Sequence, residues 1–309
     1  MKVQEGTDYP TVKGIVQECE RLRYDCIWRF DHLQPVGHWA STRTAPILEC
    51  WTLLSSLATI TSTIRLGTMV LCNLFRSPSV LAKMGATLDV ISGGRLEFGI
   101  GAGWFESECI AYGIPFGDVK SRSSQLREAV EIIKLMWTEE MPIYNGQFYQ
   151  IKEPVNYPKP IQKPHPRIWI GGIGERNTLP IVSQLADGCN FLSLEPAECG
   201  RRLGILQRLC TRSGRDYSSL RRSWQGAVQI LASGKISSSV DSQTSRCGSN
   251  EQEKDESQRY QIQGTPRQCI DRIQEYIDVG VTDFILIFPD VPNLNSLRLF
   301  SEEVMSTFK

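Results

Sequence analysis

The feature of this sequence that most constrains its fold is a regular alternation between short apolar runs and longer amphipathic stretches. Strand-like runs, rich in β-branched and aromatic residues, occur at Tyr24–Trp28, Ile64–Leu71, Arg95–Ala102, Arg167–Gly171, Gly188–Ser193, Trp224–Ala232 and Asp283–Phe288. Helical periodicity occurs at Thr11–Leu22, Leu48–Thr61, Ser79–Val90, Ser121–Trp137, Thr178–Ala186, Glu198–Ser213, Arg267–Val279 and Asn295–Phe308. Apolar strands that alternate with amphipathic helices are typical of a parallel sheet covered by helices.

The alternation predicts an α/β fold, a (β/α)8 TIM barrel. A stub at Met1–Gln4 supplies a shortened first strand, and the length of 309 residues suits a single barrel domain over residues 1–309. A doubly wound open sheet is the alternative, because it is built from the same strand and helix units.

Two segments interrupt the alternation. Residues 139–166 contain the hairpin-like sequence YNGQFYQI and then a proline-rich stretch, which together predict an ordered surface excursion. Residues 234–262 are polar and Ser-rich, which predicts an insertion in a surface loop. This insertion is either disordered or a lid over one face of the barrel.

Composition excludes several classes of partner. Lys+Arg and Asp+Glu each number 34, so no net charge attracts nucleic acid or an anionic membrane. No apolar run reaches the roughly 18 residues of a membrane span, and we expect a soluble, cytoplasmic protein. The ten cysteines show no C-x-x-C pair and no zinc-ligand spacing, so we expect buried free thiols and no metal site.

Polar residues and glycines cluster where the predicted strands end, which is where a barrel builds its active site. The candidate ligand-binding residues there are Asp31, Met69, Val70, Leu71, Cys72, Asn73, Ala102, Gly103, Trp104, Gly171, Gly172, Gly174, Glu175, Arg176 and Thr178. His32 is the candidate catalytic residue, because an imidazole exchanges protons near neutral pH; a structural histidine is the alternative. Glu108 is expected to be a solvated helix residue rather than a second catalytic acid.

The loop before the helix at Thr178 has the features of a phosphate site. Its glycines allow a ligand to approach the backbone closely. Unsatisfied N–H groups at Gly174–Thr178, where the helix begins, suit an anion. The Arg176 guanidinium and the Thr178 hydroxyl add two further donors. Tight turns are the alternative explanation of the glycines.

Motifs of several other enzyme classes are absent. The chain contains no G-x-S-x-G, no H-E-x-x-H and no P-loop sequence. The run GIGAGW lacks the third glycine of a dinucleotide-binding fingerprint. The sequence therefore argues against a serine hydrolase of this type, a zinc peptidase, a P-loop nucleotidase and a nicotinamide-dependent dehydrogenase.

The chain resembles the bacterial luciferase-like oxidoreductases, which use a flavin or the deazaflavin coenzyme F420. The resemblance is carried by TDYPTVKGIVQECERLRYDCIWRFDHL, IRLGTMVLCNLFRSPSVLAKMGATLDVISGGRLEFGIGAGWFESECIAYGIPF, YPKPIQKPHPRIWIGGIGERNTLPIVSQLADGCNF and GTPRQCIDRIQEYIDVGVTDFILIFPD. It implies a (β/α)8 barrel, F420 as the cofactor, a small-molecule substrate and, as in many relatives, a homodimer.

The resemblance also implies roles for individual residues. A non-proline cis peptide is expected near Met69–Leu71, where it would back the central ring of the cofactor. Asn73 would contact the ring edge, Ala102 and Gly103 would pass close to the cofactor, and the loop from Gly172 to Thr178 would lie on its phosphate side. His32 would lie beside the reactive ring carbon, and Cys72 is the one cysteine expected to touch the cofactor.

Trp104 departs from the pattern of the relatives that oxidise sugar phosphates, which have a glutamate in its place. This departure argues against a glucose-6-phosphate-type activity. The function expected from the resemblance is hydride transfer between F420 and a small organic substrate. An FMN-dependent monooxygenase that uses reduced flavin and O2 is the alternative, and a flavin-binding barrel without turnover is a third.

Overall fold

The computed structural model describes residues 7–36, 44–231 and 262–308. The parallel strands are β1 Cys26–Arg29, β2 Arg65–Thr68, β3 Leu71–Cys72, β4 Leu96–Gly101, β7 Arg167–Gly171, β8 Gly188–Leu192, β9 Arg221–Ile230, β10 Ile262–Gly264 and β11 Asp283–Ile287; β5 Ile143–Asn145 and β6 Gln150–Lys152 form an antiparallel hairpin. The helices are α1 Tyr9–Arg21, α2 Cys50–Ile60, α3 Pro78–Ile91, α4 Glu106–Ala111, α5 Val119–Thr138, α6 Thr178–Leu185, α7 Pro196–Arg212, α8 Pro266–Asp278 and α9 Asn295–Glu303.

The order of the strands identifies the architecture. Neighbours run β1-β2-β4-β7-β8-β9-β11, all parallel, with β3 extending the sheet beside β4 and β10 pairing with the end of β9. The main strands therefore lie in chain order, with no point at which the winding reverses. A doubly wound sheet requires such a reversal, so that alternative is wrong and the barrel is confirmed.

The two ends of this sheet approach each other, as a barrel requires. The Tyr24 ring before β1 meets the Phe288 ring after β11 edge to face, with centroids 6.3 Å apart. The Tyr24 hydroxyl donates to the Leu297 carbonyl at 2.8 Å, and Arg298 donates to the Glu18 carboxylate at 2.5 Å. These contacts join α1 to α9 across the seam. The predicted strand at Met1–Gln4 lies outside the described residues.

Side chains fill the interior of the barrel. Trp28 of β1 and Trp169 of β7 pack edge to face at 5.4 Å, in one cluster with Met69 and Ile285. The Trp169 indole donates to the buried Glu97 carboxylate at 2.7 Å. The interior is thus a packed core rather than a channel, and a ligand has to bind at its mouth.

Helix starts follow local capping chemistry. Thr265 and Gln268 form a capping box ahead of α8, where Pro266 occupies the first turn. The Asp8 carboxylate caps α1 through the Thr11 amide at 3.0 Å, and Asp118 caps α5 in the same way.

The predicted elements are largely confirmed, with three differences. The hairpin forms at YNGQFYQI as predicted and extends by one residue at each end, to Ile143 and Lys152. Helix α4 was not predicted, because six residues are too few for a periodic pattern, and the last helix ends at Glu303 before a short 3₁₀ turn. Strand β10 begins at Ile262, inside the predicted polar insertion at 234–262, whose remaining residues through 261 lie outside the described part.

The nine cysteines in the described ranges are free thiols, and eight of them are buried. Within residues 7–36, 44–231 and 262–308, every helix is too short or too polar to cross a lipid bilayer.

Candidate active site

A bulge separates β2 from β3 at the mouth of the barrel. The Met69–Val70 peptide is cis, as the resemblance implies. A Cβ added to Gly101 or Gly171 would lie 2.8 Å or 2.9 Å from a methyl carbon of Val70. These two glycines on the neighbouring strands therefore leave the space that the Val70 side chain occupies, a packing role that the sequence pattern did not reveal.

The Asp31 carboxylate ties the end of β1 to the end of β3. It accepts bonds from the Arg76 guanidinium at 2.6 Å and 3.0 Å and from the Cys72 amide at 3.1 Å. Burial raises the pKa of Asp31, and the bonds from Arg76 oppose that rise. Because both of its oxygens already accept from protein donors, Asp31 anchors the loop that carries His32.

His32 stands in an aromatic setting at the mouth. Its ring lies 5.6 Å from Phe30, 5.8 Å from Trp104 and 6.1 Å from Phe105, measured between centroids. Its Nδ1 atom is 2.9 Å from the Oε2 atom of Glu108. The only other described histidine, His165, lies before β7 at the opposite end of the barrel, and His38 lies outside the described residues.

The expectation that Glu108 is a solvated helix residue is wrong. Glu108 is only 2% exposed, because α4 turns this side toward the loop after β1. Its carboxylate accepts bonds from the amides of Leu33 at 2.6 Å and Gln34 at 3.1 Å in addition to its contact with His32. The sequence signal that could have identified Glu108 as a site residue is its position four residues, or one helical turn, after Trp104.

Asn73 presents a buried acceptor beside the bulge. Its backbone amide donates to Gly101 at 3.0 Å, and its Nδ2 atom donates to the Tyr149 hydroxyl at 3.3 Å. The Oδ1 atom is buried and finds no hydrogen-bond partner among the described residues. Such an atom is costly unless a ligand or water satisfies it, so Asn73 is suited to bind a donor group. Tyr149, on the hairpin excursion, was not predicted.

The two residues of β3, Leu71 and Cys72, differ in how deeply their side chains are buried. The Leu71 side chain is fully buried in the hydrophobic core between the sheet and the helices. Cys72 is half-buried, and its Sγ atom would lie 2.9 Å from a Cβ on Gly103. Burial raises the pKa of the Cys72 thiol to about 12, so it is a neutral thiol at physiological pH and not a nucleophile.

The turn after β4 leads from Ala102 to two adjacent aromatic residues, the exposed Trp104 and the half-buried Phe105. Gly103 adopts a φ of +78°, a conformation that other residues rarely adopt, and its carbonyl accepts from Arg122 at 3.3 Å. Trp104 then projects outward, 60% exposed, and stacks on Phe105 at 5.2 Å. An indole this exposed, beside His32, forms one wall of the mouth.

The loop between β7 and α6 presents open N–H groups. The amides of Gly174, Glu175, Arg176 and Asn177 have no acceptor in the described part of the chain. The Thr178 amide was predicted to be open as well, and that is wrong, because it donates to the Gly174 carbonyl at 2.8 Å. Gly172, with a φ of +125°, lies close to the Thr178 side chain.

Charged side chains flank this loop. Arg176 is exposed and forms no ion pair within the described ranges. The Glu175 carboxylate turns away from the loop, toward Arg201 at 2.6 Å and Arg202 at 3.7 Å on α7. Arg202 also donates to the Ile173 carbonyl. The two α7 arginines were not predicted, although their spacing from Glu198 marks a paired helix face.

The predicted residues thus come together at the carboxyl ends of β1, β3, β4 and β7. Asn73 follows the bulge, His32 and Trp104 meet after β1 and β4, and the open amides of residues 174–177 follow β7, on the other side of β4. The start of α6, with these open amides, suits an anionic group.

Several known proteins are similar to this chain in sequence. An uncharacterised protein of Mycobacterium tuberculosis is 33% identical over 169 residues, which are 55% of this chain and 58% of that protein. The chain therefore spans little more than half the length of that relative. The F420-dependent glucose-6-phosphate dehydrogenase of Microbacterium testaceum is 27% identical over 93% of this chain and 89% of its own.

Solved structures agree with the fold. The F420-dependent tetrahydromethanopterin reductase of Methanopyrus kandleri superposes with a TM-score of 0.83 over 100% of this chain and 98% of its own, at 19% identity. The model of the luciferase-like monooxygenase family matches residues 1–234. With its barrel fold and strand-end site, the chain belongs to the luciferase-like monooxygenase family.

Proposed function

We propose that the protein is an oxidoreductase that binds F420 at the mouth of the barrel and transfers a hydride between F420 and a small organic substrate. Support comes from the relative in Microbacterium testaceum, which matches nearly the whole chain and is an F420-dependent dehydrogenase. The observation that carries the proposal is the presence of two sets of groups that lack a hydrogen-bond partner within residues 7–36, 44–231 and 262–308: the Asn73 Oδ1 atom and the amides of residues 174–177.

The residues of the site fit a deazaflavin that carries a phosphate. Asn73 offers an acceptor to the ring edge, and the bulge at Met69–Val70 offers a backbone surface to the ring face. The amides before α6 and the exposed Arg176 would hold the phosphate, and the helix start favours its negative charge. With no net charge on the chain, the phosphate has to be bound by these local groups.

When bound, F420 supplies a carbon that accepts or releases a hydride. The protein then has to handle the accompanying proton. In substrate oxidation, the C–H bond donates its electron pair as the hydride while the substrate hydroxyl loses its proton to His32. In the reverse direction, His32 returns that proton to the oxygen of the carbonyl that is being reduced.

The substrate side of the mouth is aromatic. Phe30, Trp104 and Phe105 surround His32. These side chains suit a substrate with a small apolar body and one hydroxyl or carbonyl group directed at His32. The sequence resembles relatives that oxidise sugar phosphates, and these have a glutamate at the position of Trp104. We therefore propose an apolar alcohol or ketone as the substrate, rather than a sugar phosphate.

A second candidate is an FMN-dependent monooxygenase, because the chain belongs to the luciferase-like monooxygenase family. A turnover screen separates the two. The protein would be incubated with small apolar alcohols or ketones together with oxidised or reduced F420, and in parallel with reduced FMN and O2. We expect turnover with F420 only, and oxygen consumption that depends on FMN and substrate would contradict the proposal. Binding of either cofactor without any turnover would point to an inactive barrel.

We also propose that the protein is a cytoplasmic homodimer. Nine free thiols in the described ranges suit a reducing compartment. Val80 and Ile91 on α3, together with Tyr157 and Ile161, are exposed apolar side chains that a second copy could cover. Light scattering after gel filtration tests the assembly, since a mass equal to one chain would contradict it. Fractionation of the producing cells tests the location.

A further inference from the structure

The contact between Glu108 and His32 is one of three hydrogen bonds that converge on a single buried carboxylate. The Oε1 atom of Glu108 accepts from the amides of Leu33 and Gln34, and the Oε2 atom faces Nδ1 of His32 at 2.9 Å. The three donors are consecutive in the chain and come from the loop after β1. Glu108 therefore binds the whole segment that carries the proposed proton-transfer group.

The helix that carries Glu108 is itself attached to that loop. The Tyr112 hydroxyl, just after α4, donates to the Leu33 carbonyl at 2.8 Å. Glu108 and Tyr112 lie one helical turn apart. Glu108 binds backbone amides of this segment, and Tyr112 binds a backbone carbonyl of the same segment. Rotation of the His32 side chain would break its bond to Oε2, whereas the two amide bonds keep the carboxylate in place.

This geometry selects one protonation pattern of the imidazole. A carboxylate only accepts hydrogen bonds, and a neutral imidazole carries one N–H group. The contact with Oε2 therefore requires the hydrogen on Nδ1, which leaves the lone pair on Nε2. A ring held in this way accepts a proton only at Nε2, the nitrogen on the far side from Glu108.

We propose that Glu108 is the positioning residue of the proton-transfer group, which holds His32 in the Nδ1–H tautomer and keeps Nε2 available to the substrate oxygen. This inference rests on the proposed function for its consequence in catalysis, but the tautomer itself exists without cofactor or substrate. When Nε2 takes the substrate proton, the resulting imidazolium lies next to the Glu108 carboxylate, which stabilises its positive charge.

A purely structural role for Glu108 makes different predictions. If the carboxylate served only to hold the loop, any replacement that keeps an acceptor for the Leu33 and Gln34 amides would leave the chemistry unchanged. Glu108→Gln is such a replacement, because its amide oxygen can accept from both. Its NH₂ group would then face Nδ1 of His32, and as a donor it can pair only with an Nδ1 atom that has no hydrogen. The substitution thus keeps the loop contact and reverses the tautomer.

The experiment is a ¹⁵N NMR measurement of the histidine side chains at alkaline pH, where the rings are neutral. The chain has three histidines, so His38→Asn and His165→Gln variants identify the His32 signals. We expect the Nδ1–H tautomer in the wild type and the Nε2–H tautomer in Glu108→Gln. Glu106→Gln is the matched control, because Glu106 is exposed on the same helix, and it should leave the wild-type pattern unchanged.

Turnover and cofactor binding complete the test. We expect Glu108→Gln to lower kcat by about 10²- to 10⁴-fold, because a ring with its hydrogen on Nε2 cannot accept the substrate proton there, while the Kd for F420 stays within about threefold. An Nε2–H tautomer in the wild type would overturn the inference even if the variant fails to fold, and so would unchanged kcat in a folded variant. A reversed tautomer in a protein that does not bind F420 would uphold the positioning role and refute only the proposed function.

Discussion

His32 Nδ1 lies 2.9 Å from Glu108 Oε2, although the two residues are 76 positions apart in the chain. The contact joins the loop after β1 to the helix after β4, the two segments that border the mouth beside the cis Met69–Val70 peptide. A paired imidazole and carboxylate at this place suit the proton transfer that the proposed reaction requires.

Replacing His32 by alanine should slow catalysis without weakening cofactor binding. We expect kcat to fall by about 10²- to 10⁴-fold, the range usual for loss of a positioned acid or base, and the Kd for F420 to change by no more than a few-fold. Single-turnover kinetics and a fluorescence titration measure the two quantities. Unchanged single-turnover rates in the variant would refute the assigned role of His32.

Arg176→Gln should weaken cofactor binding with little effect on the chemical step. The guanidinium is exposed and has no ion-pair partner in the described residues, so it is free to bind a phosphate. Loss of one charge-assisted contact is worth about a tenfold increase in Kd, and the effect should shrink at high salt. Arg267→Gln is the control, because that exposed arginine lies on α8 and pairs with Asp271. Equal effects of the two substitutions would contradict the phosphate site.

Gly101→Ala should destabilise the protein through a collision with Val70. The new methyl group would lie 2.8 Å from Val70 Cγ2 inside the sheet, which should lower the free energy of unfolding by about 1–3 kcal/mol. Adding Val70→Ala should recover part of that loss. Gly14→Ala on α1, with no atom within 4 Å of the new methyl, is the control and should be neutral or stabilising. Urea unfolding measures each variant, and additive effects of the two substitutions would show that they do not interact.

The seam between α1 and α9 should contribute a pH-dependent part of the stability. Bonds from Arg21 and then Arg298 lower the pKa of Glu18 from 4.5 to about 2. A carboxyl with a lowered pKa in the folded state stabilises the fold above the unfolded pKa, and this contribution is lost as the pH falls from about 5 toward 2. Glu18→Gln should therefore be less stable than the wild type at pH 7, by up to about 1 kcal/mol for such a surface pair. A difference in unfolding free energy that is as large at pH 2 as at pH 7 would contradict the assignment.

Trp104→Ala should reduce kcat/KM for an apolar substrate by about tenfold, because burial of the substrate against the indole is lost. Binding of F420 should change little. Val155→Ala, at an exposed apolar residue of the excursion at 139–166, serves as the control. If kcat/KM fell equally for both variants, Trp104 would not be a wall of the substrate site.

The barrel strands were predictable because each is a short apolar run that the parallel sheet buries on both faces. Helix α4 was not, since six residues with Glu106 and Glu108 in the first turn resemble a polar loop. The burial of Glu108 follows from the orientation of that helix against the loop after β1. Only the tertiary arrangement fixes this orientation, so the sequence led to the wrong expectation for the residue that pairs with His32.

The candidate site was predictable as a set of strand ends but not as a set of contacts. Gly171 stood out as a candidate ligand-binding glycine at the end of a strand, yet its closest constraint is the Val70 side chain in the bulge between β2 and β3. Glu175 stood out as a loop carboxylate, yet its partners are Arg201 and Arg202 on α7. In both cases the partner is distant in sequence, and no local pattern records it.

The measurement that tests the central claim most directly is an equilibrium titration of the purified protein with F420, followed by fluorescence, with FMN as the competitor. The account predicts saturable binding of F420 that FMN displaces poorly and that Arg176→Gln weakens. Tight binding of FMN together with no detectable affinity for F420 would contradict it.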